Sequence, residues 1–223
     1  MEKTMTTIKK LLTEIQNNFK YTSDKKKWNS VSPPYTIWPS IDDIDKWNEQ
    51  ADLKLKRLDM WKYFSQELQK NNIKTSIDIG CSGAQFTLMQ RMLDLEAYGI
   101  DPQIEYLFSN KQDFIKYNVD INECLYLGDI DTLIKQFIQN PIEVDCISLL
   151  NFMHGWIGTD DECLYFLKCI TQNTKYILTS MPLKELKSRE YINSITDVVV
   201  AKYNQIDIPR ETHYLLKLTK RKE

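Results

Sequence analysis

The chain has 223 residues, 42% of them hydrophobic, with 29 Lys and Arg against 31 Asp and Glu for a net charge of −2. That length suits one domain around one substantial core, and the mix argues against a disordered or fibrous chain. Charges this evenly balanced offer no broad basic face for a polyanion, so nucleic acid is not an expected partner.

The first predicted element is a helix over "TMTTIKKLLTEIQNNF", where Met5, Ile8, Leu11, Leu12, Ile15 and Phe19 recur on one face. This N-terminus lacks the apolar core and small-residue cleavage site of a secretory signal. No stretch approaches the ~20 apolar residues of a membrane span, so a cytoplasmic protein is expected. Next comes "KYTSDKKKWNSVSPPYTIWPS", whose prolines and polar residues rule out a regular helix or central strand. Its Trp28, Tyr35 and Trp38 suit either a lid over a bound acceptor or a strap packed on the core. Lys25–Lys27 reads as a solvated turn. A second helix is predicted from Ser40 to about Lys70, opened by an S-x-x-D capping box with Asp43. Ile44, Trp47, Ala51, Leu55, Leu58, Trp61, Phe64 and Leu68 form its apolar face. Residues 1–72 are thus expected to be an N-terminal helical extension or lid, and residues 73–223 one compact unit.

From residue 74 short apolar runs alternate with helical stretches: "TSIDIG", helix 84–94, "EAYGID", a mixed stretch, "ECLYLGD", helix 130–139, "EVDCISLL", helix 160–171 and "KYILTSM". Such alternation predicts parallel strands joined by crossover helices, an α/β sheet covered on both faces. Thr159 and Glu162 supply a capping box for helix 160–171. "DVVVAKYNQ" and "ETHYLLKLT" follow with no helix between them, which predicts an antiparallel pair at the sheet edge. The five cysteines, Cys81, Cys124, Cys146, Cys163 and Cys169, form no CxxC pair. They read as reduced core residues, with no metal site expected.

Ligands of open α/β sheets bind beyond the carboxyl ends of the strands. "SIDIGCSGAQF" is such an end. Gly80 and Gly83 permit positive φ and a close backbone approach, while Ser82 and Ala84 are small. Asp101 ends the next strand, roughly twenty residues on, where a carboxylate offers two acceptor oxygens to the hydroxyls of a ribose. Asp129, beside Gly128, closes a third strand. The alternative readings are a turn at Asp101-Pro102 and a helix N-cap at Asp129. A dinucleotide requires G-x-G-x-x-G, but the spacing here is G-x-x-G, and Asp78 just ahead of it would repel a pyrophosphate. The same carboxylate attracts an ammonium or sulfonium. S-adenosylmethionine carries both.

Residues 74 to 219 resemble the class I S-adenosylmethionine-dependent methyltransferases, of small-molecule type. "IDIGCSGAQF" is similar to their first motif, "YGIDP" to the ribose-binding acid, "LGDI" to the adenine segment and "VDCISLLNFMHGW" to the fourth strand with its methyl-facing residues. The resemblance implies a Rossmann-like seven-stranded sheet in order 3-2-1-4-5-7-6 with strand 7 antiparallel. It implies that Asp78, Gly80, Cys81, Ser82, Gly83 and Phe86 line the methionine half of the cofactor and that Asp101 holds the ribose. Pro102, Gly128, Asp129 and Ile130 would border the adenine, and Asn151 and Phe152 the donor methyl. Ser82 and Ala84 depart from the pattern by replacing its second and third glycines, which also admits a cofactor site that no longer works.

His154 follows the fourth strand, where acceptors sit in this family. Its ordinary pKa suits a base, and packing beside Trp156 is the alternative. His213 lies within the last strand pattern and reads as structural. "SPPY" at 32–35 resembles the motif of amino-methylating nucleic-acid enzymes, but it stands in the wrong place in the motif order and reads as a loop. Arg57 on the second helix is a candidate for the cofactor's carboxylate. The expected partner is a small-molecule acceptor. A sugar, a nucleotide-activated sugar or a similar biosynthetic intermediate methylated at oxygen leads, with N-methylation and a catalytically silent subunit as alternatives.

Overall fold

The computed structural model describes residues 2–19, 41–42, 53–103, 110–150, 159–181, 186–204 and 212–219. Its elements run α1 (Glu2–Asn18), α2 (Leu53–Lys70), β1 (Thr75–Ile79), α3 (Gln85–Arg91), β2 (Glu96–Asp101), α4 (Lys111–Lys116), a 3-10 turn (Ile121–Glu123), β3 (Leu125–Leu127), α5 (Ile130–Gln139), β4 (Val144–Ser148), α6 (Asp160–Thr171), β5 (Thr174–Met181), α7 (Leu186–Ile195), β6 (Thr196–Asn204) and β7 (Thr212–Leu218).

The strands form one seven-stranded sheet in the order β3-β2-β1-β4-β5-β7-β6, as expected. The β1–β2, β1–β4, β2–β3 and β4–β5 pairs are parallel, and β7 runs antiparallel to both β5 and β6. Parallel strands joined by helices need apolar cover on both faces, and two core clusters supply it. Ile8, Leu12, Ile77, Ile100, Ile147, Phe166 and Leu216 belong to the first, built on α1, α5 and α6. Leu58, Phe64, Leu68, Phe86, Leu88, Phe114, Leu178 and Leu215 belong to the second, built on α2, α3 and α4.

The apolar face read for α1 is the buried one: Ile8, Leu11, Leu12 and Ile15 are each at most 2% exposed. The helix lies against β3, the strand at one end of the sheet, and Gln16 Oε1 accepts the Leu127 N–H at 3.1 Å. Lys9 pairs with Glu123 on the same side. On α2, Leu58, Trp61, Phe64 and Leu68 are buried as expected, and Tyr63 and Phe64 meet Tyr203 of β6 ring to ring. The Ser40–Asp43 capping box and the 20–40 segment, with Lys25–Lys27, Trp28, Tyr35 and Trp38, lie outside the described residues.

Two expectations need correction. Helix α3 ends at Arg91 rather than 94, because Asp94 turns left-handed at φ 61° while the Leu95 N–H reaches back to the Gln90 carbonyl. Asn72 and Asn118 close α2 and α4 in the same left-handed way. Helix α7 falls in a stretch not read as helical. Its first turn is capped from α6, where Asp160 accepts the N–H groups of Lys187 (2.9 Å) and Ser188 (3.2 Å) and the Ser188 hydroxyl. The predicted box at Thr159 and Glu162 forms with both arms.

Candidate functional site

At the end of β1 the chain bends sharply. The N–H groups of Gly80 and Cys81 both donate to the Ile100 carbonyl of β2, at 2.8 and 3.2 Å. Gly80 takes φ 72°, but the other left-handed residues of the bend are Ser82 (φ 50°) and Ala84 (φ 60°). The expectation of positive φ at Gly83 is therefore corrected: the strained conformations fall on the two residues that stand where the family pattern has glycine. Gly83 is held through its carbonyl, which accepts from Asn110 Nδ2 at 3.0 Å. Asn110 is the N-cap of α4, and no sequence motif pointed to it. Beneath the bend Gly99 of β2 gives clearance, since a Cβ there would lie 2.8 Å from Cys81 Sγ and 2.9 Å from Thr87 Oγ1.

Two acids share this rim and one side of the sheet. Ile77 and Ile79 face the first cluster, as do Tyr98 and Ile100, so by strand alternation Asp78 and Asp101 face the second. Asp78 is 2% exposed and Asp101 7%. Burial pushes Asp78 up to about 7, the nearby Asp101 charge adds to the rise, and the Ser148 hydroxyl opposes it. Burial likewise pushes Asp101 up to about 6, against the pull of two backbone donors. These are the Ser82 N–H on Oδ2 and the Gln103 N–H on Oδ1, each at 2.9 Å. Each carboxylate oxygen keeps a further lone pair. Among the described residues no Lys or Arg figures in the shift of either acid.

The end of β3 differs. Asp129 caps α5, its Oδ1 accepting from the Thr132 N–H (2.8 Å) and hydroxyl (2.6 Å). At Gly128 a Cβ would come within 2.5 Å of Ile15 Cγ2, so its small size is needed where α1 lies on the strand. Ile130 packs against the first cluster. Pro102 is half-buried beside Asp101, and Phe86 belongs to the second core. Cys81 is buried, and burial with the two nearby acids holds its thiol well above the ordinary range. Asn151, Phe152 and His154 lie outside the described residues. His213 is buried on β7, where its Nδ1 lies 2.8 Å from Ser180 Oγ.

Ser148, which sequence reasoning passed over, is the last residue of β4 and the register partner of Asp78. Cys146 and Leu150 on either side of it face the second cluster, so Ser148 does too. Its Oγ is buried, near enough to Asp78 to pull that carboxyl down but in no well-formed hydrogen bond, a condition shared by Ser65 Oγ, Gln85 Nε2 and Thr87 Oγ1. A buried hydroxyl beside a desolvated carboxyl suits a ligand carrying positive charge and polar hydrogens. The residues at the β1 and β2 ends therefore fit the cofactor read from the sequence. Among the described residues no group of His, Cys, Asp and Glu could hold a metal ion. Nor is any helix there long and apolar enough to cross a membrane.

No protein-family model matches the sequence, and no curated protein sequence matches it. Solved structures do. The magnesium protoporphyrin IX methyltransferase of Synechocystis PCC 6803, with bound S-adenosylmethionine, aligns over 94% of this chain and 97% of its own at a TM-score of 0.60 and 10% identity. The bifunctional kinase–methyltransferase WbdD aligns over 87% of this chain at 0.54 and 18% identity. This chain spans about half of WbdD, 47% of its length. A caffeoyl-CoA O-methyltransferase assigned by likeness in Staphylococcus aureus aligns over 80% of this chain and 92% of its own, at 0.51 and 13% identity. The architecture is an open Rossmann-like sheet with a reversed seventh strand. It is the fold of the S-adenosylmethionine-dependent methyltransferases.

Proposed function

We propose that the chain is an S-adenosylmethionine-dependent methyltransferase of a small molecule, with O-methylation of a sugar, nucleotide-activated sugar or similar biosynthetic intermediate as the leading reaction. One observation carries the reading: Asp78 and Asp101 stand buried on adjacent strand ends above a backbone bend, facing no described cation. A folded chain keeps such acids at a cost, and a cationic ligand removes it. When bound, the cofactor supplies a methyl group already activated for transfer. The chain's part is then alignment, because a bimolecular displacement accelerates steeply once its partners are held in line.

In this reading Asp101 accepts the ribose hydroxyls on its open lone pairs, and Asp78 faces the cationic end. The Gly80–Ala84 bend brings bare backbone against the ligand, with Asn110 holding its Gly83 carbonyl in place. His154, on the segment that follows β4, is proposed to take the acceptor's proton. O-methylation leads over N-methylation in this reading, and the acceptor screen separates the two. A second reading has its own support: the Ser82 and Ala84 side chains stand at left-handed positions of the bend, as a scaffold with a decayed cofactor site would tolerate. Calorimetry with S-adenosylmethionine and S-adenosylhomocysteine separates the two. Micromolar binding, followed by S-adenosylhomocysteine release in a screen of hydroxylated acceptors, is expected of the enzyme. Failure to bind either ligand selects the silent scaffold.

A further inference from the structure

We propose that Asp113 of α4, Tyr117 at its C-cap and Asp42 beside them are positioning residues for the cofactor bend: they seat α4, and α4 seats Gly83 through Asn110. The inference rests on the cofactor reading above and adds to it residues that no sequence motif marks.

Helix α4 has little of its own to hold it in place. Its six residues fall well short of the ~12–15 that a helix needs to persist alone in water. Phe114 is fully buried in the second core, but its neighbour Ile115 is 59% exposed. The seat of the helix therefore depends on polar ties, and these lead in two directions. Asn110, the N-cap, makes no capping bond to its own helix, and its Nδ2 donates to the Gly83 carbonyl at 3.0 Å. Asp113, one turn on, accepts the Ile41 N–H on Oδ2 at 3.1 Å. At the far end Lys116 Nζ (2.6 Å) and the Tyr117 hydroxyl (2.5 Å) both donate to the Asp42 carboxylate. Ile41, Asn110 and Asp113 are all buried. Two consecutive residues of the N-terminal region thus hold both ends of α4, and its N-cap holds the bend.

The state of the bend gives this link its sign. Gly83 lies between Ser82 (φ 50°) and Ala84 (φ 60°), both in the left-handed conformation that L-residues resist. The tie on the Gly83 carbonyl opposes relaxation of that strain. It also keeps the Ser82 N–H aimed at Asp101 Oδ2. When α4 shifts, Asn110 moves with it and the bend is released. A ligand that lies against the bend binds the seated form better than the released one, so the ties at Ile41 and Asp42 raise its affinity. By reciprocity the bound ligand holds Ile41 and Asp42 more firmly on α4.

Calorimetry with S-adenosylhomocysteine on the full chain, together with hydrogen exchange of the Ile41 amide by NMR, tests the link. Asp42→Ala removes both ties at the far end and should weaken the ligand about fivefold. Tyr117→Phe removes one oxygen and should weaken it about twofold, which keeps the test open if Asp42→Ala folds poorly. Asn110→Ala should cost about fivefold by itself. It should also cancel any further loss from Asp42→Ala, so that the double variant binds like Asn110→Ala alone. Saturating ligand should slow exchange at Ile41 about fivefold in the wild type and leave it unchanged in Asn110→Ala. A purely structural role would lower the melting temperature of Asp42→Ala with its affinity intact, and that result overturns the proposal. So would losses that add in the double variant, or an Ile41 amide indifferent to the ligand. A wild-type chain that binds neither S-adenosylmethionine nor S-adenosylhomocysteine removes the cofactor reading itself, and the link with it. Wild-type binding with unresponsive Asp42 and Tyr117 variants leaves that reading standing.

Discussion

The ends of β1 and β3 look alike in the sequence, each setting an aspartate within two residues of a glycine at the close of an apolar run, and the fold uses them differently. At β1, Gly80 is left-handed and its N–H crosses to β2, while Asp78 lies buried with the Ser148 hydroxyl of the neighbouring strand acting on it and no cap of its own. At β3, Gly128 is small because Ile15 of α1 occupies the space of a side chain, and Asp129 is engaged by Thr132 three residues on. The difference is local satisfaction. An acid whose hydrogen bonds close within its own helix turn has its structural account complete, whereas one buried without them still requires a partner.

The largest expected effect follows from that contrast. Asp78 titrates near 7 and Asp101 near 6 in the folded chain, against ~3.9 for an unfolded aspartate. Both folded values are raised, so the folded chain binds more protons than the unfolded one between about pH 4 and 7. The stability this confers is complete below the unfolded pKa and is lost as pH rises through 6 and 7. For Asp78 alone it is on the order of 4 kcal/mol. Urea denaturation of the free chain should therefore show higher stability at pH 5 than at pH 8. Asp78→Asn should flatten much of that slope. Cofactor affinity should move the opposite way, rising from pH 6 to 8 as the two acids ionise. A slope that survives Asp78→Asn intact would show that Asp78 is not held protonated by the fold.

Next in size is the pair Asp101→Ala and Asp129→Ala. Loss of the two-pronged acceptor at Asp101 should weaken S-adenosylhomocysteine at least ~100-fold, about 2.7 kcal/mol. Loss of the cap at Asp129 should remove about 1 kcal/mol of folding stability and leave affinity within a factor of about three. Comparable affinity losses in both variants would erase the distinction and make Asp129 a cofactor contact as well as a cap.

A third comparison concerns the two strand-end glycines. Gly128→Ala places a methyl against Ile15 Cγ2 and should destabilise by about 1–3 kcal/mol, read by denaturant midpoint, with cofactor affinity intact. Adding Ile15→Ala should cost less than the sum of the two single changes, since the pair share one contact. Strict additivity would mean that α1 does not press on the β3 end.

The parallel sheet, its antiparallel edge pair and both cover layers were legible because they follow from alternation of short apolar runs with helix-length amphipathic stretches, whereas the strand order came from the family resemblance. The α1 face was legible for the same reason. The α7 helix was not, because its cap comes from Asp160, a residue far upstream that the fold brings alongside. Ser148 was invisible for a related cause. A serine in "DCISLL" carries no motif, and only the β1–β4 register reveals that it faces Asp78. Asp129 was legible as two alternatives, a cofactor contact or a cap, and the side-chain geometry supplies the second of them.

The smallest expected effect lies within the bend itself. Ser82 and Ala84 are both left-handed, a conformation that disfavours an L-residue by roughly 1–2 kcal/mol and that glycine adopts freely. The two should nevertheless respond unequally to glycine. Ala84 is fully buried in the second core, so Ala84→Gly relieves the backbone but removes a buried methyl of about 0.8 kcal/mol and adds chain entropy to the unfolded state. The net change should be close to zero. Ser82 is half-buried and acts on Asp101 through its backbone N–H, which Ser82→Gly keeps. That variant should gain about 0.5–1 kcal/mol in denaturant unfolding and retain S-adenosylhomocysteine binding. If Ser82→Gly stabilises the fold but weakens the ligand, the hydroxyl touches it. If it destabilises, the left-handed turn at 82 is not strained, and this departure from the family's glycine pattern is conformationally neutral.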